Sequence, residues 1–372
     1  MNFKKVVTIA AAAGALTALA IPAMAELTPY ASVRLGLFNQ TYSPVTGSSV
    51  NDTDLDLARN SRFGVRGTTG KIGGVVEMGL VGSSATSPGN AGSVEQHGVY
   101  TRLIYGTYAF DAGTLLVGQD YSNNWVASAQ VALADNGFSG YGALDNKRQP
   151  QIKFTMKNGL YGALIAPTSV SYGLLTTAST TDYKVTVPEL NVGYKGKVGD
   201  VNFNVGGLLL TAKTANTGGD TMTAYLGYAD AKYTAGPASV LVNFGYGQNT
   251  GNMGIASGLN GATNVYKTTA AVVGFLPVIP AGDVKTIEGF IQGGYAVSDM
   301  VAVNAGFGYV SDDKDGTDKA DARYSIFVNA PITVAKGFSV TPEFDYFDEL
   351  KDNAGNKQGN RYVVGAKLQM DF

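Results

Sequence analysis

The last twelve residues of the chain, Arg361 to Phe372, read Arg-Tyr-Val-Val-Gly-Ala-Lys-Leu-Gln-Met-Asp-Phe. Successive side chains of a β-strand point to opposite faces, so this stretch predicts a strand with one apolar and one polar face. The apolar face holds Tyr362, Val364, Ala366, Leu368, Met370 and Phe372, and the other face holds Arg361, Val363, Gly365, Lys367, Gln369 and Asp371.

The apolar face begins and ends on an aromatic residue, Tyr362 and Phe372. At about 3.3 Å per residue these two rings lie roughly 33 Å apart along the strand. A strand tilt of about 40° projects that length to roughly 25 Å, the height of the apolar band between the aromatic girdles of an outer-membrane barrel. A strand of a soluble β-sandwich would also alternate, but the ring spacing and the aromatic terminus favour the transmembrane barrel.

The N-terminus predicts a secretory signal peptide. Lys4 and Lys5 precede an apolar run from Val6 to Ile21, and Ala23-Met24-Ala25 supplies the small residues of a cleavage site. The apolar run is too short to be a membrane helix. We therefore expect residues 1–25 to be removed and residues 26–372 to form a single barrel domain.

Composition narrows the class of protein further. No later segment has the roughly 20 apolar residues of a spanning helix, and an exported chain can then cross a membrane only as a closed barrel that satisfies its own backbone. The chain has 49 Gly, 21 Tyr and no Cys, so disulfides and thiolate metal sites are excluded. Its net charge of −2 becomes about −4 without Lys4 and Lys5, which argues against a nucleic-acid partner.

Alternating segments are joined in turn by short turns and by long polar connections. The turn Thr68-Thr69-Gly70-Lys71 is short, whereas the polar stretch from Asn39 to Leu57 is long, and this asymmetry is typical of bacterial barrels. A literal count gives about seventeen strands, but such barrels have an even number. Treating the proline-containing stretch from Gln248 to Asp283 as one loop gives sixteen, and a further strand between Thr168 and Pro188 would give eighteen.

Charged residues on the polar faces are the candidates for lining a pore. Charge rings and pore width set selectivity, and a Debye length of about 8 Å restricts strong effects to charges at the constriction. The candidates on a clear polar face are Arg34, Arg62, Arg66, Glu77 and Lys153. Arg102 belongs to a strand in which neither face is clearly apolar, as expected if its outer face is covered at a subunit interface. The connection from Asp120 to Gln149 is long enough to fold into an open lumen.

The chain resembles the trimeric general porins of Gram-negative bacteria. The segment Asn60-Ser61-Arg62-Phe63-Gly64-Val65-Arg66-Gly67 is similar to the Ser-Arg-x-Gly-x-x-Gly second strand of that family. Thr101 to Gly106 and Gly113 to Gln119 resemble its fourth and fifth strands, and the terminal Phe372 is a third match. The order and spacing of these motifs agree over most of residues 26–372.

The resemblance implies a sixteen-stranded barrel, a homotrimer in the outer membrane, and a third loop that folds inward and narrows the pore. It also implies a basic wall, which Arg62, Arg66 and Arg102 match by position, facing acidic loop residues, for which Asp135 and Asp145 are the candidates. The Pro-Glu-Phe-Gly-Gly loop motif of the enterobacterial members is absent. We further expect the C-terminal strand, with Tyr362 and Phe372, to be the signature that the barrel-assembly machinery recognises.

The function expected from these features is passive diffusion of ions and small hydrophilic solutes through a water-filled channel. A solute-specific porin, or a structural barrel that binds a surface partner and has no open pore, are the alternatives. An enzyme is disfavoured because the one histidine, His97, has no serine-rich motif beside it and hydrolases pair a nucleophile with a base. We expect no catalytic residue, no cofactor and no metal.

Overall fold

A computed structural model of the protein describes residues 26–58, 60–81, 98–132, 137–144, 148–167, 183–185, 187–214, 221–255 and 283–372. The predicted signal peptide, His97, Asp135 and Asp145 lie outside these residues. No helix in the described part of the chain is long and apolar enough to cross a membrane.

The described residues form a single antiparallel sheet of nineteen strand segments and one short 3-10 helix at Thr250–Met253. The segments are β1 (Glu26–Pro44), β2 (Val50–Leu57), β3 (Arg62–Thr69), β4 (Ile72–Val81), β5 (Gly98–Ala109), β6 (Gly113–Tyr121), β7 (Arg148–Met156), β8 (Leu160–Ile165), β9 (Tyr183–Val185), β10 (Glu189–Val198), β11 (Val201–Thr214), β12 (Thr221–Ala235), β13 (Ala238–Gln248), β14 (Val284–Ala296), β15 (Ala302–Lys314), β16 (Asp321–Asn329), β17 (Ile332–Ala335), β18 (Phe338–Asp348) and β19 (Gly359–Asp371).

The nineteen segments occupy sixteen positions around a closed wall, because three positions are each shared by two consecutive segments. Both β2 and β3 pair with β1, both β9 and β10 pair with β11, and both β16 and β17 pair with β18. The predicted count of sixteen is confirmed. The alternative of eighteen is wrong, because the extra segment β9 continues the line of β10 and adds no position to the wall.

The C-terminal strand closes the barrel and has the two faces that its sequence predicts. It pairs with β1, with Leu368 opposite Leu35, and the backbone N–H of Ala31 donates to the carbonyl of Phe372 at 2.7 Å. Val363 is buried, whereas the neighbouring Val364 is 55 % exposed. The apolar residues therefore point away from the lumen, toward the lipid that a barrel of this kind meets.

Aromatic rings form a row on the outer face near the loop end of the last strands. Tyr362 lies opposite Tyr346, with ring centroids 4.9 Å apart. The row continues from Tyr346 to Tyr324 at 5.9 Å and from Tyr324 to Phe307 at 5.8 Å. Rings at this level are the aromatic girdle that the position of Tyr362 predicts.

Short turns lie at one end of the barrel and longer connections at the other. The turns Gly70-Lys71 and Gly199-Asp200 each place a glycine at φ 56°, a left-handed conformation that glycine adopts without a steric penalty. The polar stretch from Asn39 to Leu57 is a hairpin of β1 and β2, in which the Asn39 side-chain amide donates to Asn51 at 2.7 Å. The sequence shows this stretch only as a polar connection, yet β1 and β2 continue through it as strands. Backbone hydrogen bonds between paired strands do not require an apolar face.

Candidate pore constriction

Four of the predicted pore residues share the inner face of β1, β3 and β4. Arg62 lies opposite Ser32 of β1 and Gly79 of β4, and Glu77 lies opposite Gly64. The intervening residues, such as Val33 and Val76, are 40 % and 48 % exposed on the outside. Directly opposite residues of paired strands lie on the same side of a sheet. Arg34, Arg62, Arg66 and Glu77 therefore face the lumen.

Glu77 is the centre of a buried charged network on this wall. Its carboxylate accepts a hydrogen bond from Arg102 Nε at 2.7 Å and one from the Tyr30 hydroxyl at 2.9 Å. Arg62 Nε lies 3.4 Å from the same carboxylate. Glu77 and Arg102 are only 4 % and 1 % exposed, so water screens their charges little. The network neutralises one carboxylate with two guanidinium groups and leaves the wall with an excess positive charge.

A bulge in β5 explains why the face of Arg102 could not be read from alternation. Glu77 pairs with Leu103, whereas the next residue, Met78, pairs with Thr101. Arg102 is therefore the extra residue of the bulged strand, and a bulge re-aims a side chain. The bulge accounts for the loss of alternation at Arg102. A subunit interface over the outer face of this strand stays a prediction.

The other predicted cations lie on either side of this network. Arg66 is exposed, 5.6 Å from the centre of the Tyr30 ring, and Arg34 Nε donates to Ser32 Oγ at 3.2 Å. Lys153 lies apart from them on β7, where its Nζ is 3.2 Å from Asp120 of β6. The structure thus brings Arg34, Arg62, Arg66, Arg102 and Glu77 together and places Lys153 in a separate ion pair.

We call residues 122–147 loop 3. Its described part, residues 122–132 and 137–144, enters the lumen as soon as it leaves β6. The carbonyl of Asn123 accepts from the Asn204 side chain of β11 at 2.9 Å. The N–H of Ala129 then donates to the Gln292 side chain of β14 at 2.9 Å. Val126 and Ala129 pack against a buried cluster that includes Phe290 of the wall. These contacts confirm the predicted inward fold of the third loop.

Acidic and amide side chains of β16 and β18 hold the next part of loop 3. Both oxygens of Glu343 lie 2.8 Å from the N–H of Val131, and Glu343 also accepts from the N–H of Ala132. The side-chain amide of Gln130 donates to Asp345 at 2.7 Å. We call this set of contacts the Glu343 clamp.

The returning part of loop 3 lies flat against the same wall. Phe138 stacks on Phe290 with ring centroids 4.9 Å apart, and Tyr141 lies 4.9 Å from Phe347. The Tyr141 hydroxyl donates to Glu349, and burial raises the pKa of this phenol well above its usual value. Gly142 has φ 117°, and a Cβ there would collide with the carbonyl of Gly289. Only glycine permits so close an approach of loop and wall.

Acidic residues of the wall were missed as partners of loop 3 when the sequence alone was considered. Glu343 and Asp345 alternate with the outward Phe344 and Tyr346. Strand parity therefore places both in the lumen, but it does not show that a loop covers them. The predicted loop carboxylates, Asp135 and Asp145, lie outside the described residues. Among those residues, no cluster of three or more acidic or histidine side chains could hold a metal ion.

Charge in the lumen is divided between buried acids and exposed bases. The buried carboxylates of the inner face on β10 and on β14 to β18 are Glu189, Glu288, Asp312, Glu343 and Asp345. Lysines of β10 and β12 nearer the short turns, by contrast, are exposed to water: these are Lys195, Lys197 and Lys232. Together with the exposed Arg66, they give this half of the described lumen a cluster of accessible cations, which attracts anions.

A closed sixteen-stranded barrel with an apolar exterior, a polar interior and a loop folded across its lumen has the architecture of an outer-membrane porin. Solved structures share this fold. The outer membrane channel DcaP of Acinetobacter baumannii has a TM-score of 0.71 and 17 % identity, with 95 % of this chain and 99 % of that chain covered. No protein-family profile and no curated protein matches the sequence.

Two further structures extend the likeness in fold. The anion-selective porin from Comamonas acidovorans has a TM-score of 0.53 and 15 % identity over 94 % of this chain and all of its own, 100 %. The trimer form of OmpT, an outer membrane protein of Vibrio cholerae, has a TM-score of 0.55 and 15 % identity over 94 % of this chain and 100 % of that one. At these identities the likeness shows the fold.

Proposed function

We propose that the protein is a porin that forms a water-filled channel for passive diffusion of ions and small hydrophilic solutes. The observation that carries the proposal is the path of loop 3. From Val126 onward its described hydrogen bonds and ring contacts to the barrel are with β14, β16, β18 and Glu349, and none of them involves Arg62 or Arg102. A passage bounded by loop 3 on one side and by the arginines on the other is the constriction expected of a diffusion pore.

Planar-bilayer recording tests this proposal. We expect stepwise current increases whose conductance scales with bulk salt, because an open aqueous pore follows the conductivity of the solution that fills it. Conductance that saturates with one solute would instead support a solute-specific porin. A silent bilayer would support a structural barrel with a surface partner and would overturn the channel.

We propose further that the channel resides in the outer membrane of a Gram-negative bacterium as a homotrimer, in contact with lipid. The apolar exterior and the outer-membrane neighbours support the location, and the trimeric OmpT supports the assembly. Tyr362 and Phe372 remain the proposed signature for the barrel-assembly machinery. The proposal assigns no catalytic residue and no cofactor.

We also propose that the pore prefers anions. The accessible cations Arg66, Lys195, Lys197 and Lys232 support this preference, as does the fold shared with a porin that is anion-selective. Most of the described carboxylates on the loop-covered wall are buried, so a passing solute cannot contact them. The exposed lysines and arginines, by contrast, meet solutes in the open water directly.

Replacing Arg62 and Arg66 together by Ser should move the zero-current potential in a salt gradient toward cation preference. The two guanidinium groups face the constriction, and removing them lowers the local concentration of anions there. The matched control is Lys71→Ser with Lys336→Ser, which removes the same charge from two turns outside the lumen. An equal shift in both variants, or none in the first, would remove the two arginines from the constriction.

A further inference from the structure

The single tryptophan of the chain lies where loop 3 leaves the wall. Trp125 is 37 % exposed, and its indole stacks on Tyr121, the last residue of β6, with ring centroids 4.1 Å apart and planes inclined by 24°. The residues around Trp125 contact inner-face residues: the carbonyl of Asn123 meets Asn204, and Val126 packs in the cluster that contains Phe290. The exposed part of the indole therefore meets the water of the lumen.

Two arginines hold the partner of this indole in place. The Tyr121 hydroxyl accepts from Arg102 Nη2 at 3.0 Å and from Arg148 Nη1 at 3.1 Å. The guanidinium carbon of Arg148 also lies 5.3 Å from the Tyr121 ring centre and 6.0 Å from that of Tyr100. Arg148 is the first residue of β7 and is only half-buried. The stacked rings of Trp125 and Tyr121 therefore lie beside the guanidinium of Arg148, at the point where loop 3 leaves and rejoins the wall.

This arrangement has the chemistry to retain one class of solute. A flat π-system gains attraction by stacking on an indole, about 0.5–1.5 kcal/mol for aromatic pairs beyond area burial. A carboxylate gains a charge-assisted hydrogen bond or ion pair from a guanidinium, which is planar and suited to carboxylate geometry. A solute with only one of these two features can satisfy only one of the two groups.

We propose that Trp125, Tyr121 and Arg148 form a binding subsite for planar organic anions, that is, aromatic carboxylates, in the lumen beside loop 3. The subsite deepens the proposed channel function, on which its role in transport rests. It retains such a solute briefly at the constriction, and the accessible cations of the lumen draw it there.

Intrinsic fluorescence tests the subsite directly, because all tryptophan emission comes from Trp125. The probe is 4-nitrobenzoate, a planar anion that quenches indole, titrated into the folded protein in detergent. The comparison probe is 4-nitrobenzamide, which has the same ring and no charge. We expect saturable quenching by the anion and an affinity for the neutral probe that is about threefold to tenfold weaker.

Substitutions show whether Arg148 is the residue that recognises the carboxylate of the solute. Arg148→Gln should remove the advantage of 4-nitrobenzoate over the amide, whereas Lys71→Gln, at a turn, should leave it unchanged. Quenching that rises linearly, as for N-acetyltryptophanamide in the same detergent, would overturn the proposal. Equal affinity for the charged and neutral probes would also overturn it.

Channel recording separates failure of the subsite from failure of the channel. We expect benzoate to reduce the current carried by chloride more than cyclohexanecarboxylate does at equal concentration, Trp125→Leu to abolish the difference, and Trp125→Phe to retain it. A conducting channel that does not discriminate the two anions would overturn the subsite and leave the porin intact. Saturable quenching by a protein that conducts no current would overturn the porin and keep the subsite.

Discussion

Glu343→Ala should release loop 3 from the wall and turn a steady open-channel current into one with frequent partial closures. Glu343 accepts the backbone N–H groups of Val131 and Ala132 and the side-chain amide of Asn329. A buried donor that loses its acceptor costs about 1–3 kcal/mol. Each 1.4 kcal/mol lost raises the population of released loop about tenfold, and a loop that leaves the wall moves into the path of the ions.

A cysteine in loop 3 gives a second, chemical readout of this release. The chain contains no Cys, so Ala132→Cys introduces the only thiol, at a position that is 1 % exposed in the folded loop. A water-soluble methanethiosulfonate should label this thiol slowly when Glu343 is present. With Glu343→Ala in the same chain, labelling should be at least about tenfold faster, in proportion to the released population.

Two further variants show whether the clamp itself is responsible. Glu343→Gln keeps one acceptor oxygen and should fall between the wild type and Glu343→Ala in both readouts. Asp299→Asn removes a carboxylate from an exposed turn and should change neither. Unchanged labelling and unchanged current noise in Glu343→Ala would show that the apolar contacts of Phe138 and Tyr141 hold loop 3 without the clamp.

Regular alternation made the wall of this barrel predictable from sequence. Successive residues of a strand meet lipid outside and water inside, so apolar and polar side chains alternate. In β19 the outer face carries Tyr362, Val364 and Met370, and the inner face carries Arg361 and Lys367. The same rule found the lumen-facing Arg34, Arg62, Arg66, Glu77 and Lys153. The even-number rule for barrels then favoured sixteen, because the stretch from Gln248 to Asp283 lacks alternation where Pro277 and Pro280 would each remove a ladder donor.

Features that depend on pairs of residues distant in sequence were not predictable in this way. The bulge at Arg102 shifts the register by one residue, and only the pairing of Glu77 with Leu103 reveals it. The Glu343 clamp joins residues more than two hundred positions apart, and parity alone cannot say that a loop lies over that carboxylate. The same applies to the stacking of Trp125 on Tyr121, which depends on the direction in which loop 3 leaves β6.

Removing the Arg102 side chain should destabilise the barrel more than removing any exposed cation of the lumen. Arg102 is 1 % exposed and binds Glu77, Asn60 and Tyr121. Arg102→Met keeps an unbranched side chain but leaves the Glu77 carboxylate with the Tyr30 hydroxyl and with the 3.4 Å contact to Arg62. Breaking a buried ion pair by removing one partner costs about 3–5 kcal/mol. The measurement is the free energy of unfolding by urea, followed in lipid vesicles.

Two companion variants separate the cost of leaving the Glu77 charge unpaired from the cost of losing the hydrogen bonds of Arg102. Glu77→Gln combined with Arg102→Met removes both charges, so it should recover most of the stability that Arg102→Met alone loses, because no unpaired charge remains buried. Arg66→Met removes an exposed cation and should cost no more than about 1 kcal/mol. If Arg102→Met proved no more destabilising than Arg66→Met, the Glu77 network would contribute charge to the pore wall without stabilising it. If the double variant were as unstable as the single one, the hydrogen bonds of Arg102 to Asn60 and Tyr121 would be the contacts that hold β5 in its bulged conformation.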